Sequence, residues 1–577
     1  MKIHKLLILT ISFLILSIFI SCKKESMPLR DGVFTGKGSG RNGPVEVSVT
    51  VKQGAIIDAE ITKESETPGI SDPAKSQIIE KFLKDGSTAM IDAVSGATIT
   101  SNAILDALDE AISISQGLKK TSVIYKDSEC DIVIIGAGGA GLTAATEAAS
   151  KGARVIVLEK MGIVGGNTNY STGGINAAYT KEQERLGIKD SKEVFFNDTM
   201  NGGQHLNDPD LVHTLIDNSA SVVEWLQSPM IGADLSDVGA FGGATNKRIH
   251  RPKGGGAIGA HLVPLLYKAA LSQGAEIRLN NKVIDIISEN GKAAGVKISY
   301  AGGEYTIKAK AVIIATGGFG ANPDMITFYQ ASLEGFSTTN HKGATGDAFK
   351  MVEKFNAALT QMEQIQIHPT VVKGTGIMIT EAVRGNGAIL VNKTGRRFIN
   401  EMETRDIVSA AVLKNPEKSA YLIFDQGIRK SLTAIENYAK QNLLTEGATV
   451  QELAKKLTVD TVALEYTIDE YNKAVLAKKD IEFGRNPESM ERTISNPPFY
   501  AIEIEPAIHH TMGGLKINTR AQVMSKAGKP ISGLFAAGEV TGGVHGAQRL
   551  GGNAVADICI FGKIAADSAF ELVAKYK

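Results

Sequence analysis

The sequence predicts an α/β protein, and three observations carry that expectation. The uninterrupted apolar run Cys130-Asp-Ile-Val-Ile-Ile135 has the composition of a strand buried on both faces. It is followed at once by Gly136-Ala-Gly138-Gly139-Ala-Gly141, a stretch of small residues with helical character, and a second apolar strand, Arg154 to Leu158, that ends in Glu159. Well ahead of this, Val45, Val47, Val49 and Val51 alternate with polar residues and lead into two helical stretches, the pattern of a separate small α+β unit. The 577 residues are enough for roughly two to four domains.

The elements follow in chain order. Lys2 and Lys5 form a charged start, Leu6 to Ile20 an apolar run, and Ser21-Cys22 its end. The run is short for a membrane span and fits an export signal. A small residue directly before cysteine resembles the bacterial lipoprotein lipobox. That resemblance implies a signal peptide over residues 1–21, a lipid on Cys22, and an exported chain anchored at the membrane face. A plain signal peptide or an uncleaved anchor is the alternative. Residues 23–30 read as a tether.

In the first unit, residues 31–116, Ile56-Ile57 and Ile61 supply a hairpin partner for the valine strand across Gly54. Asp72-Pro73 starts a helix, with proline at its first turn, and Gly86 ends it. A second helix is expected to start near Ser101, with Ile104, Leu105, Leu108 and Ile112 on one face and Gly117 as its stop. Between the helices lies Asp92-Ala-Val-Ser-Gly-Ala-Thr98-Ile-Thr-Ser101. This segment resembles the flavinylation motif of FMN-binding domains, in which a dedicated transferase esterifies FMN to a threonine hydroxyl. Thr98 is the matching residue. A helix start offers free N–H groups and a positive dipole end to a phosphate. A plain glycine turn capped by Ser101 is the other reading of the same residues.

In the second unit the order strand, glycines, helix, strand, acid is the Rossmann fingerprint in its required context. Gly136, Gly138, Gly139 and Gly141 permit the turn and the approach of a pyrophosphate, and Glu159 is placed for ribose hydroxyls. The acid argues against a 2′-phosphate. Gly165-Gly166-Asn167-Thr168, Ser171-Thr172-Gly173-Gly174, Ala315-Thr316-Gly317-Gly318 and Leu534-Phe-Ala-Ala-Gly538-Glu539 follow in sequence. Farther on come the segments QIHPT (366–370), TEAVRGNG (380–387), NEMETRD (400–406), HHTMGG (509–514) and GAQRLGGNA (546–554).

By these segments and their spacing, residues 130 to 577 resemble the soluble fumarate reductase family, flavoprotein relatives of succinate dehydrogenase. The resemblance implies a Rossmann-type FAD-binding domain over 130–362 and 508–577, with an α+β capping domain inserted at 363–507. It implies non-covalent FAD, with Ala140, Asn167, Thr168, Gly173, Gly174, Val283, Asp347, His510, Glu539 and Ala554 joining the glycines around it. It implies a small dicarboxylate held at one end by His509 and Arg549 and at the other by His368 and Thr380, with Met378 beside it. Arg405 is implied as the proton donor, resupplied through Glu381 and Arg384. Arginine and histidine suit this work because they hold carboxylates through charge-assisted hydrogen bonds. A guanidinium has a resting pKa above about 12, so giving its proton to water near pH 7 would cost on the order of 8 kcal/mol. A nascent carbanion is a far stronger base, and a weak acid at contact distance suffices.

Composition bounds the alternatives. Lys+Arg and Asp+Glu are balanced at 62 each, and no basic stripe points to nucleic acid. There is no CxxCH and no cysteine-rich cluster, so attached haem and iron–sulfur centres are excluded as electron carriers in this chain. Cys130 and Cys559 read as buried core thiols. No metal ligand set is assigned. Fumarate is the first substrate expected, fed with electrons through FMN from a membrane or extracytoplasmic donor. Gly239-Ala240-Phe241 lacks a methionine often found there in fumarate reductases, so acrylate, methacrylate or a urocanate-like enoate stays open. So do a dehydrogenase working in the oxidative direction and a redox carrier whose large domain is inactive. An ion pair of Arg405 with Asp406 and a solvated Arg396-Arg397 face are the plain structural alternatives for those residues, and His261, His341 and His545 have no assigned role.

Overall fold

The computed structural model describes residues 28–40, 43–66, 71–88, 91, 97–117 and 124–575. The expected signal peptide, Cys22, residues 92–96 of the flavinylation motif and residues 118–123, in the polar linker expected at 117–129, lie outside the described residues. The chain divides into two compact units, Met1–Ser122 and Val123–Lys577.

The first unit is a three-stranded antiparallel sheet, Gly32–Ser39, Pro44–Lys52 and Ala55–Lys63, with helices Asp72–Asp85 and Thr98–Ser115. The alternating valines Val45, Val47, Val49 and Val51 face a core completed by Ile78, Phe82, Ile104 and Leu108. Gly86 ends the first helix in the left-handed conformation at φ 66°. The second helix begins at Thr98, earlier than the sequence predicts. Ser101 is inside it, its N–H donating to the Ala97 carbonyl at 2.8 Å, so Ser101 is not the cap. The strand Gly32–Ser39 has only Phe34 as a signature in the hydrophobic pattern because glycines occupy the rest of its inner face. A Cβ on Gly36 or Gly38 would lie 1.9 Å from the carbonyl of Ala107 or Ala103, so the helix packs directly on bare backbone.

The second unit centres on a sheet in the order Lys282–Glu289, Lys292–Tyr300, Gly303–Ile314, Ser128–Ile135, Val155–Leu158, Glu276–Arg278. The last four strands are parallel to one another, and Pro530–Ala536 pairs in parallel with the end of Gly303–Ile314. Helices Gly139–Ser150 and Asn553–Ala574 contribute to the same buried core. Cys130 and Cys559 are buried free thiols in that core, each pushed up to about 12 by burial.

Residues between about 379 and 504 form a second core around an antiparallel sheet, Ile365–Val372, Phe499–Thr511, Ala420–Asp425 and Ile389–Val391 in that order. The long strand Phe499–Thr511 belongs to both halves. Ile502 and Ile504 pack in this second core, and Ile508 packs in the first. Among the described residues no helix is long and apolar enough to cross a membrane.

Candidate active site

A groove opens at the ends of the parallel strands, where sheets of this kind bind ligands. It is lined by Gly136, Gly138, Gly139 and Ala140 at the first turn, by Glu159 at the end of the second strand, and by Asn167, Thr168, Val283, Asp347 and Glu539. Gly141 lies beneath the lining. A Cβ there would sit 1.9 Å from the Gly136 carbonyl, so the helix start is pressed against its own turn. Gly136 has φ 102°, a conformation that favours glycine. Glu159 accepts the N–H groups of Ala137 at 2.9 Å and Met161 at 2.8 Å, and burial raises its pKa. This bare-backbone cradle with a buried acid fits an adenine dinucleotide. FAD, when bound, supplies a hydride.

Gly173 and Gly174 lie away from that lining. A Cβ on Gly174 would meet the His250 carbonyl at 2.3 Å, and one on Gly173 would approach Ile249 and Phe241. Ala554 is in the first turn of the helix Asn553–Ala574, half-buried. Lys160, Met161, Thr316 and His341 also line the groove. His341 was without a role in the sequence. Its N–H donates to Asn167 Oδ1 at 2.7 Å, which ties the two together. His261 is structural, its Nε2 accepting the N–H of Asp234 at 2.9 Å.

Beside the groove the two halves of the unit bring charged side chains together. The pairing of Ile365–Val372 with Phe499–Thr511 sets Gln366 opposite His510 and His368 opposite Ala507, with a bulge between Gln366 and Ile367. It leaves the rings of His368 and His509 5.1 Å apart at 61°. His509 Nδ1 is 2.8 Å from Thr339 Oγ1. Arg405 opens the helix Arg405–Leu413 and reaches back to Glu381, its Nε and Nη2 both donating to Oε2 at 3.3 Å. Its Nη1 donates to Gln366 Oε1 at 3.0 Å, and Arg549 Nη2 donates to the same oxygen at 3.1 Å. Arg384 Nη2 stands 4.0 Å from Glu381 Oε2. Thr380 is buried, its N–H donating to the Tyr438 hydroxyl at 3.0 Å, and Met378 is half-buried just ahead of it.

The electrostatics are those of a cation-rich site enclosed away from water. Burial, then the charges of Arg405, Arg384 and Arg549, hold His368 well below its ordinary value. Burial, then Arg405, His368 and Arg549, do the same to His509. Burial and then Arg405 bring Arg549 down to about 9. Burial by itself would raise Glu381, yet Arg405 and Arg384 hold it below the usual carboxylate range. The buried Arg549 Nε and the Arg384 Nε and Nη2 donors have no hydrogen-bond partner among the described residues. Donors left this way are costly unless something else satisfies them.

Gln366 is the residue that sequence reasoning missed. It stood inside the QIHPT segment, but only the fold shows one side-chain oxygen shared by two arginines. Two plain expectations are corrected. Arg405 pairs with Glu381, not with Asp406, because its helix start turns the guanidinium into the cleft. Arg397 is not on a solvated face. It is buried, with Nε and Nη2 on Glu401 at 2.9 Å and Nη2 on Asp480 at 3.0 Å, while Arg396 stays exposed. Among the described residues no three of His, Cys, Asp and Glu converge as a metal cluster.

Comparisons with known proteins agree with this geometry. Residues 131–555 match the FAD binding domain family and residues 40–113 the FMN-binding domain family. The chain is 46% identical over 441 residues to the fumarate reductase (cytochrome) of Shewanella frigidimarina, covering 76% of each chain. It is 40% identical over 527 residues to the NADH:fumarate oxidoreductase of Klebsiella pneumoniae, covering 91% of this chain and 56% of that one. The open conformation of a flavocytochrome c3 fumarate reductase superposes with a TM-score of 0.67 at 43% identity, over 77% of this chain and 79% of that one.

Proposed function

This chain belongs to the FAD-dependent fumarate reductase family, and from that premise we propose that it reduces fumarate to succinate with Arg405 as the proton donor. The protein is a flavin oxidoreductase acting on carbon–carbon double bonds, with FAD and FMN as its cofactors. The observation that carries the finer reading is the pairing of Arg405 and Arg549 on one Gln366 oxygen, beside His368 and His509. Two carboxylates and the pair of carbons between them require a donor set of that kind. His509 and Arg549 hold one carboxylate, and His368 and Thr380 the other. With both ends fixed, the double bond is polarised by the donors around it. Hydride adds to one carbon, the C=C π pair moves to the other, and the proton on Arg405 joins it there. Glu381, held as the carboxylate, then hands Arg405 a proton drawn from Arg384, and bulk water restores the proton to Arg384 after each turnover.

A second reading rests on Phe241. Its ring packs where a Cβ on Gly551 would come within 3.1 Å, two residues from Arg549, and the N–H of Gly242 donates to Glu381 at 3.2 Å. An aromatic wall at that place suits a monocarboxylic enoate such as acrylate or methacrylate. A panel of enoates assayed with reduced viologen separates the two. Fumarate is expected to turn over fastest and succinate oxidation to be far slower. Rapid turnover of a monocarboxylate with no fumarate activity would remove the dicarboxylate reading.

The N-terminal unit is proposed to feed electrons to this site through FMN esterified to Thr98 by a transferase. Its support is the match to an FMN-binding domain and the place of Thr98 at a helix start. Thr98→Ala is expected to lose the attached FMN mass and keep FAD. Wild-type protein from a transferase-bearing host with no FMN after denaturation would defeat the assignment. Export and lipid anchoring through Cys22, with a membrane or extracytoplasmic electron donor, rest on residues 1–22 alone. Cys22→Ala should alter processing and membrane fractionation, and an unchanged pattern would end that proposal.

A further inference from the structure

Behind Arg384, on the side away from Arg405, lies a buried set of charges that the reaction as written does not use. Glu401 and Arg485 are at its centre, with 0% and 1% of their surfaces exposed. Glu401 Oε2 accepts Arg485 Nη1 at 3.2 Å and Arg397 Nη2 at 2.9 Å. Its Oε1 accepts Arg397 Nε at 2.9 Å and the Leu390 N–H at 3.2 Å. Asp480 closes the far side on Arg397. Two of the contacts reach forward. The Glu401 backbone carbonyl accepts Arg384 Nη1 at 2.5 Å, and Arg485 Nη2 donates to the Arg384 carbonyl at 2.6 Å. Arg384 is thus held at both ends, side chain and backbone. Its Nε and Nη2 are left without hydrogen-bond partners, and Nη2 faces Glu381 across 4.0 Å.

A buried ion cluster is weak evidence for stability, since well-packed apolar residues of the same volume often do as well. Its geometry, in contrast, is specific. Opposite charges alternate from Arg405 through Glu381 and Arg384 to the Glu401–Arg485 pair. Arg384 is enclosed and cannot be steered by water, so only these neighbours set where its free N–H groups point. A guanidinium that donates at Nη1 to a fixed carbonyl has its plane set, and Nη2 then lies on the Glu381 side.

We propose that Glu401 and Arg485 are positioning residues of the proton relay, holding Arg384 from behind so that its Nη2 stays directed at Glu381. This rests on the reading of Arg384 as the relay member that resupplies Glu381. Neither residue touches substrate or flavin in this role, and both act through Arg384.

The test uses the holoenzyme with Glu401→Gln, Arg485→Lys and, as a control, Asp480→Asn, which removes the charge facing Arg397 and keeps an amide oxygen for the Arg485 N–H. Misplacement of a reacting group by about 1 Å costs on the order of 100-fold. Glu401→Gln and Arg485→Lys are expected to lower kcat by roughly 10- to 100-fold with KM for fumarate nearly unchanged. Asp480→Asn is expected to lose thermal stability and keep kcat. If Glu401→Gln does not fold, Arg485→Lys, which keeps the charge, decides alone. Wild-type kcat in that variant, or a loss shared equally by kcat and KM, would overturn the proposal. A second arm needs no turnover. In a double-mutant cycle of Glu381→Gln with Arg485→Lys, read by urea unfolding, coupling through Arg384 predicts non-additive losses, and additive losses would overturn it. This arm still decides if the wild-type protein reduces no enoate, the outcome that removes the functional reading instead.

Discussion

The dinucleotide groove and the cationic cleft beside it are built from opposite materials. The groove is made by leaving side chains out. Gly136, Gly138 and Gly139 line it with backbone, and Gly141 lets the helix press on the turn. The cleft is made by forcing large charged side chains in. Arg384, Glu381, His368 and Arg549 are all buried there. A bare-backbone site is sensitive to anything added. A charged, enclosed site is sensitive to anything removed, because each partner left behind is a buried charge without its counterpart.

The first way to break this comparison is to remove the charge with the largest expected effect. Arg405→Ala should keep FAD but lose turnover by at least the ~10²–10⁴ typical of general acid catalysis. Single-turnover reoxidation of the reduced flavin by fumarate is the measurement. A wild-type rate would reduce Arg405 to a structural partner of Glu381.

The converse experiment adds atoms to the groove. Gly141→Val places a branched side chain where the Gly136 carbonyl already lies. Overpacking costs about 1–3 kcal/mol, or roughly a 5- to 150-fold loss of FAD affinity. The ratio of bound flavin to protein after gel filtration reads it. Full FAD retention would show that the turn has more room than its geometry implies.

Acid–base behaviour sharpens the contrast with smaller effects. His368 and His509 are held well below 6.5 by burial and by neighbouring arginines. A bound dicarboxylate offsets the neighbouring arginine charges and raises both imidazoles, so binding takes up protons. Affinity for a non-reducible dicarboxylate such as malonate should therefore weaken as pH rises, by up to about tenfold per pH unit for each proton taken up. Calorimetry in buffers of different ionisation heat would count the protons, and zero uptake would mean that both imidazoles stay neutral in the complex and that affinity does not follow pH in this way. Without ligand the sign reverses for folding. The buried His368 and His510 resist protonation, while in the unfolded chain they protonate below about pH 6.5. Stability should fall as pH drops below that value, by up to about 1.4 kcal/mol per pH unit for each such histidine, visible as a falling Tm.

The same contrast explains what was legible in the sequence. The groove is encoded over a short stretch, from Cys130 to Glu159, and its glycines speak for themselves through spacing and context. The cleft draws on separate segments around residues 366, 381, 405, 509 and 549, and composition alone gave none of it. The family resemblance supplied those positions. Even so, the resemblance did not reveal Gln366 as the shared acceptor, and the plain reading of the Arg396-Arg397 pair left Arg397 on a surface. Both depend on long-range packing: Gln366 on strand pairing with His510, Arg397 on the return of Asp480. The strand Gly32–Ser39 was illegible for the opposite reason. Its most buried residues are Gly36 and Gly38, which leave Phe34 as the single hydrophobic mark on that face even though the helix Thr98–Ser115 rests on it.

The long strand Phe499–Thr511 gives the protein a parity constraint. Successive residues of a strand face opposite sides, and the tandem His509-His510, at the bulge opposite Gln366 and Ile367, divides between two sets of partners. His509 faces Thr339 and the His368 ring, and His510 lies 5.4 Å from the ring of His545. Deleting one residue between the second core and this pair would bring His510 to the post of His509 and carry His509 to that of Ile508. Deleting two would restore their sides. Length changes in this stretch are therefore sorted into odd and even, and odd changes there should be the ones that abolish activity.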